Sequence, residues 1–175
     1  MIARILIGVM VFIALIAGIA LYYLQVYAYY EEVPPDAGNV QFVSLVSGEA
    51  EPLMFENFKG IDSESSPLRY RACFDMPTSL AMMTETYQIV DDAEPRVAPD
   101  WFDCFDARQI GADLESGTAL GFMGQKDVVY GIDRIVAVYD DGRAFAWHQI
   151  NACGEVVFDG NPAPENCPPP PESTR

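Results

Sequence analysis

The feature that most constrains this chain is the run from Ile5 to Tyr30, which contains no charged residue. The run begins directly after Arg4 and ends at Glu31. A helix needs about 20 apolar residues to cross the hydrocarbon core of a bilayer, so this run can span it with some tilt. The sequence therefore predicts an N-terminal transmembrane signal-anchor helix over residues 1–30.

The distribution of charge predicts how this helix is oriented. Of the ten basic residues, only Arg4 precedes the run, and all 26 acidic residues follow it. Because basic flanks stay in the cytoplasm, we expect a cytoplasmic N-terminus and a domain on the outer side. The lipid of the membrane is then the first expected partner.

A cleaved signal peptide is the alternative interpretation of the same run. Val26-Tyr27-Ala28 offers acceptable residues at the −3 and −1 positions of a cleavage site. The apolar core of a signal peptide is only about 7 to 15 residues long, much shorter than this run. Tyrosines also crowd its outer end, where amphipathic rings collect at the interface of a retained helix. We favour the retained anchor.

The remaining composition divides the chain into three parts. Residues 31–39 are polar and contain Pro34 and Pro35, which is typical of a short linker. Residues 40–160 are expected to form one domain, and residues 161–175 a proline-rich tail. The roughly 140 residues outside the membrane are a normal size for a single domain with its own core.

The pattern of residues in this domain predicts an α+β fold with a mainly antiparallel sheet. Arg134–Tyr139 and Arg143–Ile150 flank an Asp-Gly pair, which predicts a hairpin with a type I′ turn. Glu155–Phe158 is expected to add a last strand. In the strand Leu68–Phe74, Arg69 and Arg71 alternate with apolar residues and are expected to face away from the core.

One helix outside the membrane is clearly indicated. Asp106 is an expected N-cap, and Gln109 stands three residues later at the capping-box position. Ile110 and Leu114 share one face, and Gly117 supplies a stop signal.

The four cysteines all lie on the predicted outer side, and they are Cys73, Cys104, Cys153 and Cys167. An even number in an exported domain indicates disulfides. Three pairings are open, and we favour Cys73–Cys104 with Cys153–Cys167 because each joins sequence neighbours. No C-x-x-C spacing is present, so the sequence does not predict a zinc site.

An acidic and aromatic segment is the best candidate for surface binding, and its residues are Asp100, Trp101, Asp103 and Asp106. Three carboxylates suit calcium, but the chain has no D-x-D-x-D-G loop, so no metal is predicted. His148, the single histidine, is expected to be a hydrogen-bonded structural residue. No catalytic residue or cofactor is predicted, because no complete nucleophile or nucleotide-binding motif is present.

Two further features bear on partners. The net charge of −16 argues against nucleic acid, which requires basic surfaces. Within the apolar run, Ala14 and Gly18 have the small-xxx-small spacing that brings two membrane helices together.

Several segments together carry a resemblance that covers most of the chain. They are YYLQVYAYYEEV, SPLRYRACF, MTETYQIVDDAEP, WFDCFDA, YGIDRIVAV and DGRAFAWHQINACGEVVFDG. This succession resembles a family of single-pass envelope proteins from alphaproteobacteria of the Rhodobacter type, a domain of unknown function. Its members are sometimes labelled histidine kinase. The sequence departs from that label, because it has no H-box around His148, no asparagine box and no glycine-rich ATP lid.

The resemblance implies a bacterial inner-membrane protein whose domain lies in the periplasm, and it implies no catalytic residue. We therefore expect a non-enzymatic domain that binds or helps to assemble an envelope membrane-protein complex. The alternative is a periplasmic sensory or ligand-binding domain that uses the acidic and aromatic surface around Trp101 to Asp106.

Overall fold

The computed structural model describes residues 2–172, and it contains a long helix followed by an α+β domain. The helices are α1 (Ile2–Tyr23), α2 (Leu80–Thr86), α3 (Ala107–Ser116) and α4 (Ala152–Phe158). The strands are β1 (Glu31–Val33), β2 (Gln41–Val43), β3 (Ala50–Pro52), β4 (Glu56–Asp62), β5 (Arg71–Asp75), β6 (Ala119–Val129), β7 (Ile132–Tyr139) and β8 (Arg143–Ile150).

The helix α1 continues through a π-helical turn, Leu24–Ala28, so that the helical segment spans 27 residues. It is long and apolar enough to cross a membrane, and none of the residues of α1 is buried. At 1.5 Å per residue its length is about 40 Å, close to the thickness of a bilayer with its headgroup regions. The predicted apolar helix is therefore present, with dimensions consistent with membrane anchoring.

The domain is built on a six-stranded antiparallel sheet in the order β1-β4-β5-β8-β7-β6. A separate hairpin, β2–β3, packs on this sheet against β6. The predicted α+β fold with an antiparallel sheet is confirmed. Three of the five neighbouring pairs join strands that are consecutive in the chain, namely β4–β5, β6–β7 and β7–β8. The strands β1 and β6 form the two outer edges of the sheet.

Both faces of the sheet are apolar, because alternate residues of a strand point to opposite sides. On one face, Phe74 and Val136 pack with Phe42 from the hairpin and Met83 from α2. On the other face, Trp147 packs among residues of the loop before α3 and of α3 itself, including Phe102, Phe105 and Ile110. Trp147 has no exposed surface. The loop 98–106 thus forms part of the core as well as of the surface.

The helix α3 has the predicted ends. Asp106 Oδ1 accepts hydrogen bonds from the backbone N–H groups of Arg108 at 3.0 Å and Gln109 at 3.1 Å. Gly117 follows in the left-handed conformation, with φ of +75°. The side chain of Gln109 does not close a capping box, since it donates to Asp113 on the next turn.

The hairpin β7–β8 is present, but its turn differs from the predicted type I′. Of its three residues, only Gly142 has a positive φ, at +90°. The Gly142 N–H donates to the Tyr139 carbonyl. A three-residue connection with glycine in the left-handed position therefore replaces the two-residue turn.

Two further assignments need correction. Glu155–Phe158 was expected to be a strand and lies in α4, because Asn151 Oδ1 caps the N–H groups of Cys153 and Gly154. In the segment 31–39, expected to be a linker, residues Glu31–Val33 form β1 and pair with β4.

The two predicted disulfides are both present. Cys73 on β5 is bonded to Cys104 in the loop before α3, and Cys153 on α4 is bonded to Cys167 in the tail. The first bond joins the sheet to the loop that covers it. The second ties residues of the proline-rich tail to the last helix.

Candidate functional site

The end of the apolar helical segment is hydrogen-bonded directly to the domain through Trp101. The indole Nε1–H of Trp101 donates to the Val26 carbonyl at 2.7 Å. The Tyr27 ring stacks on the indole with 6.3 Å between centroids, and the Tyr30 ring meets it edge-on at 5.9 Å. We call this contact between residues 26–30 and Trp101 the helix junction.

A buried arginine holds the loop that carries Trp101. Arg71 is only 4% exposed, and its guanidinium donates to the carbonyls of Arg96 at 2.7 Å and Val97 at 3.1 Å. It also donates to the carbonyls of Leu68 and Tyr70. Burial lowers the pKa of Arg71 to about 10, which leaves the group charged at neutral pH. The expectation that Arg71 faces away from the core is wrong, because the loop 91–105 covers that side of β5.

A cleft of about 740 Å³ opens beside the helix junction. It lies between β1, β4 and the loop 91–105, which we call the Trp101 loop. The lining of the cleft combines apolar residues with the charged Glu32, Lys59 and Asp103. The residues that shape it include Val33, Pro34, Phe58, Trp101, Phe102 and Asp103. We call it the Trp101 cleft.

A second cleft, of about 660 Å³, adjoins β1 and is rich in carboxylates. The charged and titratable residues along it are Glu31, Glu32, Asp62, Glu64, Arg134 and His148. Burial raises the pKa of Asp62, although the Ser63 N–H and the nearby Arg134 oppose this shift. We call it the acidic cleft, and its four carboxylates favour a cationic ligand.

His148 lies at the base of the acidic cleft and is 5% exposed. Its Nδ1 is 2.6 Å from the Pro67 carbonyl, which can only accept, so Nδ1 carries the proton. Its Nε2 accepts a hydrogen bond from Arg134 Nε at 3.1 Å. Burial, reinforced by Arg134, lowers the pKa of His148 to about 4. The ring is neutral at pH 7 with both nitrogens engaged, so the prediction of a hydrogen-bonded structural histidine is confirmed.

The four predicted binding residues separate into different roles. Trp101 and Asp103 both line the Trp101 cleft. Asp106 is engaged as the N-cap of α3. Asp100, Asp103 and Asp106 together line a different depression beside Val97, so Asp103 borders both. Within residues 2–172, no group of three or more His, Cys, Asp or Glu side chains is placed to hold a metal ion.

No signal in the sequence indicated the open edge of β1. Its other edge pairs with β4 through Glu31–Asp62, Glu32–Ile61 and Val33–Gly60. Among the described residues, no strand pairs with its outer edge. Pro34 and Pro35, which follow β1, suggested a linker. Residues 31–33 form a strand because they pair with β4, which is distant in the sequence.

The comparisons with known proteins add a family but no activity. A family model described as a family of unknown function (DUF6446) matches residues 40–168. No curated protein and no solved structure matches the chain significantly.

Proposed function

The chain belongs to the DUF6446 family, a family of unknown function, and we propose that this member is a membrane-anchored domain that binds a partner membrane protein. In this proposal α1 crosses the inner membrane of an alphaproteobacterium with its N-terminus in the cytoplasm. The domain lies in the periplasm, helps to assemble a complex of the envelope and catalyses no reaction.

The observation that carries this proposal is the position of the open strand edge. β1 begins three residues after the helical segment ends at Ala28, so it stays close to the membrane surface. Its unpaired N–H and C=O groups can accept an extended segment as a further strand, which is a common mode of peptide recognition. An edge strand farther from the end of the helical segment would not lie close to the membrane, so it would not be positioned to bind a membrane protein.

The two clefts beside β1 indicate the chemistry of the partner segment. Successive side chains of an added strand point to opposite faces of the sheet. Apolar side chains suit the Trp101 cleft, and Lys or Arg suit the carboxylates of Glu31, Glu32 and Glu64 in the acidic cleft. We therefore infer an extended partner segment that combines apolar and basic residues.

The membrane helix offers a second contact with the same partner. Ala14 and Gly18 are exposed, and nothing lies within 4 Å of a side chain placed at Gly18. Small residues at this spacing let another helix approach closely. A partner that has a membrane helix and a juxtamembrane segment would use both surfaces together.

In-cell photo-crosslinking tests the proposal. A photoreactive residue at Glu32 should give a stoichiometric adduct with a membrane protein, mapped to an extended segment rich in Lys or Arg. The same residue at Glu115, which is exposed on α3, is the control and should not give this adduct. With the photoreactive residue kept at position 32, Glu31→Gln with Glu64→Gln removes two carboxylates of the acidic cleft and should weaken the adduct. These changes add no positive charge beside the helix, which would disturb its orientation.

The outcomes separate the competing functions. Equal adducts from Glu32 and Glu115, or none from Glu32, would overturn binding at β1. A small molecule retained in a native mass spectrum, and lost in Trp101→Ala, would instead support the sensory function. A reporter that is active only outside the cytoplasm, fused after Arg175, should be active if the orientation is correct.

A further inference from the structure

The Trp101 loop presents an apolar side chain, that of Val97, to the outside of the domain. The exposed fraction of Val97 is 81%, although the backbone around it is firmly held. The carbonyls of Arg96 and Val97 accept hydrogen bonds from the guanidinium of the buried Arg71, at 2.7 and 3.1 Å. The exposure of Val97 is therefore a consequence of how the loop is attached to the sheet.

Several backbone groups of residues 95–102 are satisfied within the protein. Two of their carbonyls are bonded to Arg71. The Pro99 carbonyl accepts a hydrogen bond from the Phe102 N–H at 2.9 Å, and Pro95 and Pro99 have no N–H to donate. A segment with these groups satisfied can enter a poorly hydrated layer at a lower cost in free energy than an ordinary surface loop.

The helix junction sets the depth of this loop relative to a membrane. The uncharged run Ile5–Tyr30 is about 39 Å long as a helix, about 9 Å more than the hydrocarbon core of a bilayer. When the run is centred on the bilayer, about three residues extend beyond the core at each end, so Val26 and Tyr27 lie at its boundary with the headgroups. Trp101 donates to the Val26 carbonyl and stacks on Tyr27. The Trp101 loop therefore reaches the level of this boundary.

Val97 is connected to the helix junction through Arg71 as well as along the chain. Besides Val97, Arg71 bonds the carbonyls of Leu68 and Tyr70, which stand on either side of residue 69. Tyr30, the last residue of the helix junction, lies close enough to Arg71 to interact with its charge. The backbone of Val97 and the ring of Tyr30 thus adjoin the same guanidinium, which places Val97 beside the point where α1 ends.

We propose that the Trp101 loop contacts the lipid bilayer through Val97, whose side chain enters the boundary between headgroups and acyl chains beside α1. Trp101 supplies the amphipathic ring that is typical of this layer. Asp100 is exposed in the same loop, and its carboxylate limits the contact to this boundary because a charge stays hydrated. The contact rests on the proposed membrane anchoring. As a second attachment beside α1, it holds the open edge of β1 close to the membrane surface.

Photo-crosslinking to lipid tests the contact. The full chain is reconstituted alone into vesicles of phosphatidylglycerol and phosphatidylethanolamine, with a photoreactive residue at Val97, and mass spectrometry measures the lipid adduct. The matched control carries this residue at Val46, a valine that is 95% exposed in the turn between β2 and β3. Because burial of a valine shifts an equilibrium by about tenfold, we expect about ten times more adduct from position 97 than from position 46.

A second measurement leaves the valine as the variable. With the photoreactive residue at Asp100, Val97→Asp should weaken the lipid adduct by a similar factor, and Val46→Asp should leave it unchanged. Both valines are exposed, so neither change removes a packed side chain from the core. An adduct from Asp100 that does not respond to Val97→Asp would mean that Val97 is not the contacting group.

The remaining outcomes separate this contact from the anchoring on which it rests. Release of the unmodified chain from the vesicles by alkaline carbonate would overturn the anchoring, and the proposed function with it. A chain that resists carbonate but gives equal adducts from positions 97 and 46 would overturn the contact of the Trp101 loop alone.

Discussion

Two segments of the domain are each closed by a disulfide, yet they are held in very different ways. The Trp101 loop, joined to β5 by Cys73–Cys104, is also fixed by the hydrogen bonds of Arg71 and by the buried Phe102 and Phe105. The tail is joined to α4 by Cys153–Cys167, and its described residues 161–172 are all exposed or half-buried.

The lengths of the loops that the two disulfides close do not explain why the Trp101 loop is held more firmly than the tail. Loop-closure entropy predicts about 3.7 kcal/mol of stabilisation for a separation of 31 residues and about 3.0 kcal/mol for 14. The buried contacts of the Trp101 loop must therefore distinguish them. The first segment is a packed element that presents Trp101 to the end of the apolar helical segment, and the second is a surface segment that a disulfide ties to α4.

The largest effect is expected from removing the bond of the Trp101 loop. Cys73→Ser with Cys104→Ser should lower the free energy of unfolding by about 4 kcal/mol, because it removes a cross-link and leaves hydroxyls in a packed layer. Urea unfolding of the full chain, followed by the fluorescence of the buried Trp147, measures the change. A loss no larger than that of the tail variant described below would contradict the comparison.

The features that could be predicted from the sequence are mainly those whose signals lie close together in the chain. The ends of α3 and the position of the hairpin β7–β8 depend on residues close in the chain, so their local signals were sufficient. The cap at Asp106 and the stop at Gly117 are examples, since each acts within one helical turn. The disulfide pairs were favoured only because each joins neighbouring cysteines, since Cys73 and Cys104 are 31 residues apart.

The missed features depend on partners far away in the sequence. Arg71 looked like a surface residue because its carbonyl partners, at Arg96 and Val97, come about 25 residues later. Val156 and Val157 favour a strand by composition, and close packing of Gly154 against Gly131 accompanies the helix instead. Trp101 was predicted as a candidate for surface binding, but its hydrogen bond to a carbonyl 75 residues earlier leaves no local signal.

The second effect tests the polar attachment of the Trp101 loop. Arg71→Met should lower the free energy of unfolding by about 3 kcal/mol, because four carbonyls lose a charged donor and several remain buried. Arg143→Met is the matched control. Its ion pair with Asp141 is more than half exposed on both sides, so the change should be under about 1 kcal/mol. Similar losses in the two variants would show that Arg71 adds little to the loop.

The third effect concerns the tail. Cys153→Ser with Cys167→Ser should cost about 2 kcal/mol, less than the loop-closure value, because the released tail regains freedom in the folded protein. The hydrogen bond from the Tyr130 hydroxyl to the Pro168 carbonyl is too weak to retain it. Limited proteolysis should cut within residues 161–172 while the rest of the domain stays intact. Cleavage that begins in the Trp101 loop would mean that this loop, and not the tail, is the less firmly held segment.

The smallest effect concerns pH and His148, which belongs to neither segment. His148 lies on β8, on the face of the sheet opposite to the Trp101 loop, and its ring stacks on Tyr70. Its pKa falls from 6.5 to about 4 on folding, so the folded protein favours the neutral ring. The unfolded chain binds the proton first as pH decreases, and the stability present above pH 6.5 is lost on the way to pH 4. Because the ring keeps some access to water, we expect a loss of about 1 to 2 kcal/mol between pH 7 and pH 5.

The comparison with His148→Gln isolates this contribution. Asp62 and Asp133 have raised pKa values and change stability in the opposite direction at low pH, but they do so equally in both proteins. The difference in unfolding free energy between the wild type and the variant should therefore shrink from pH 7 to pH 5. Protonation breaks the acceptor role of Nε2 toward Arg134, so hydrogen exchange should rise in the turn 66–69 bonded through Pro67. Exchange in the tail should not change. A difference that is constant with pH would mean that His148 is charged in the folded protein or that its burial costs nothing.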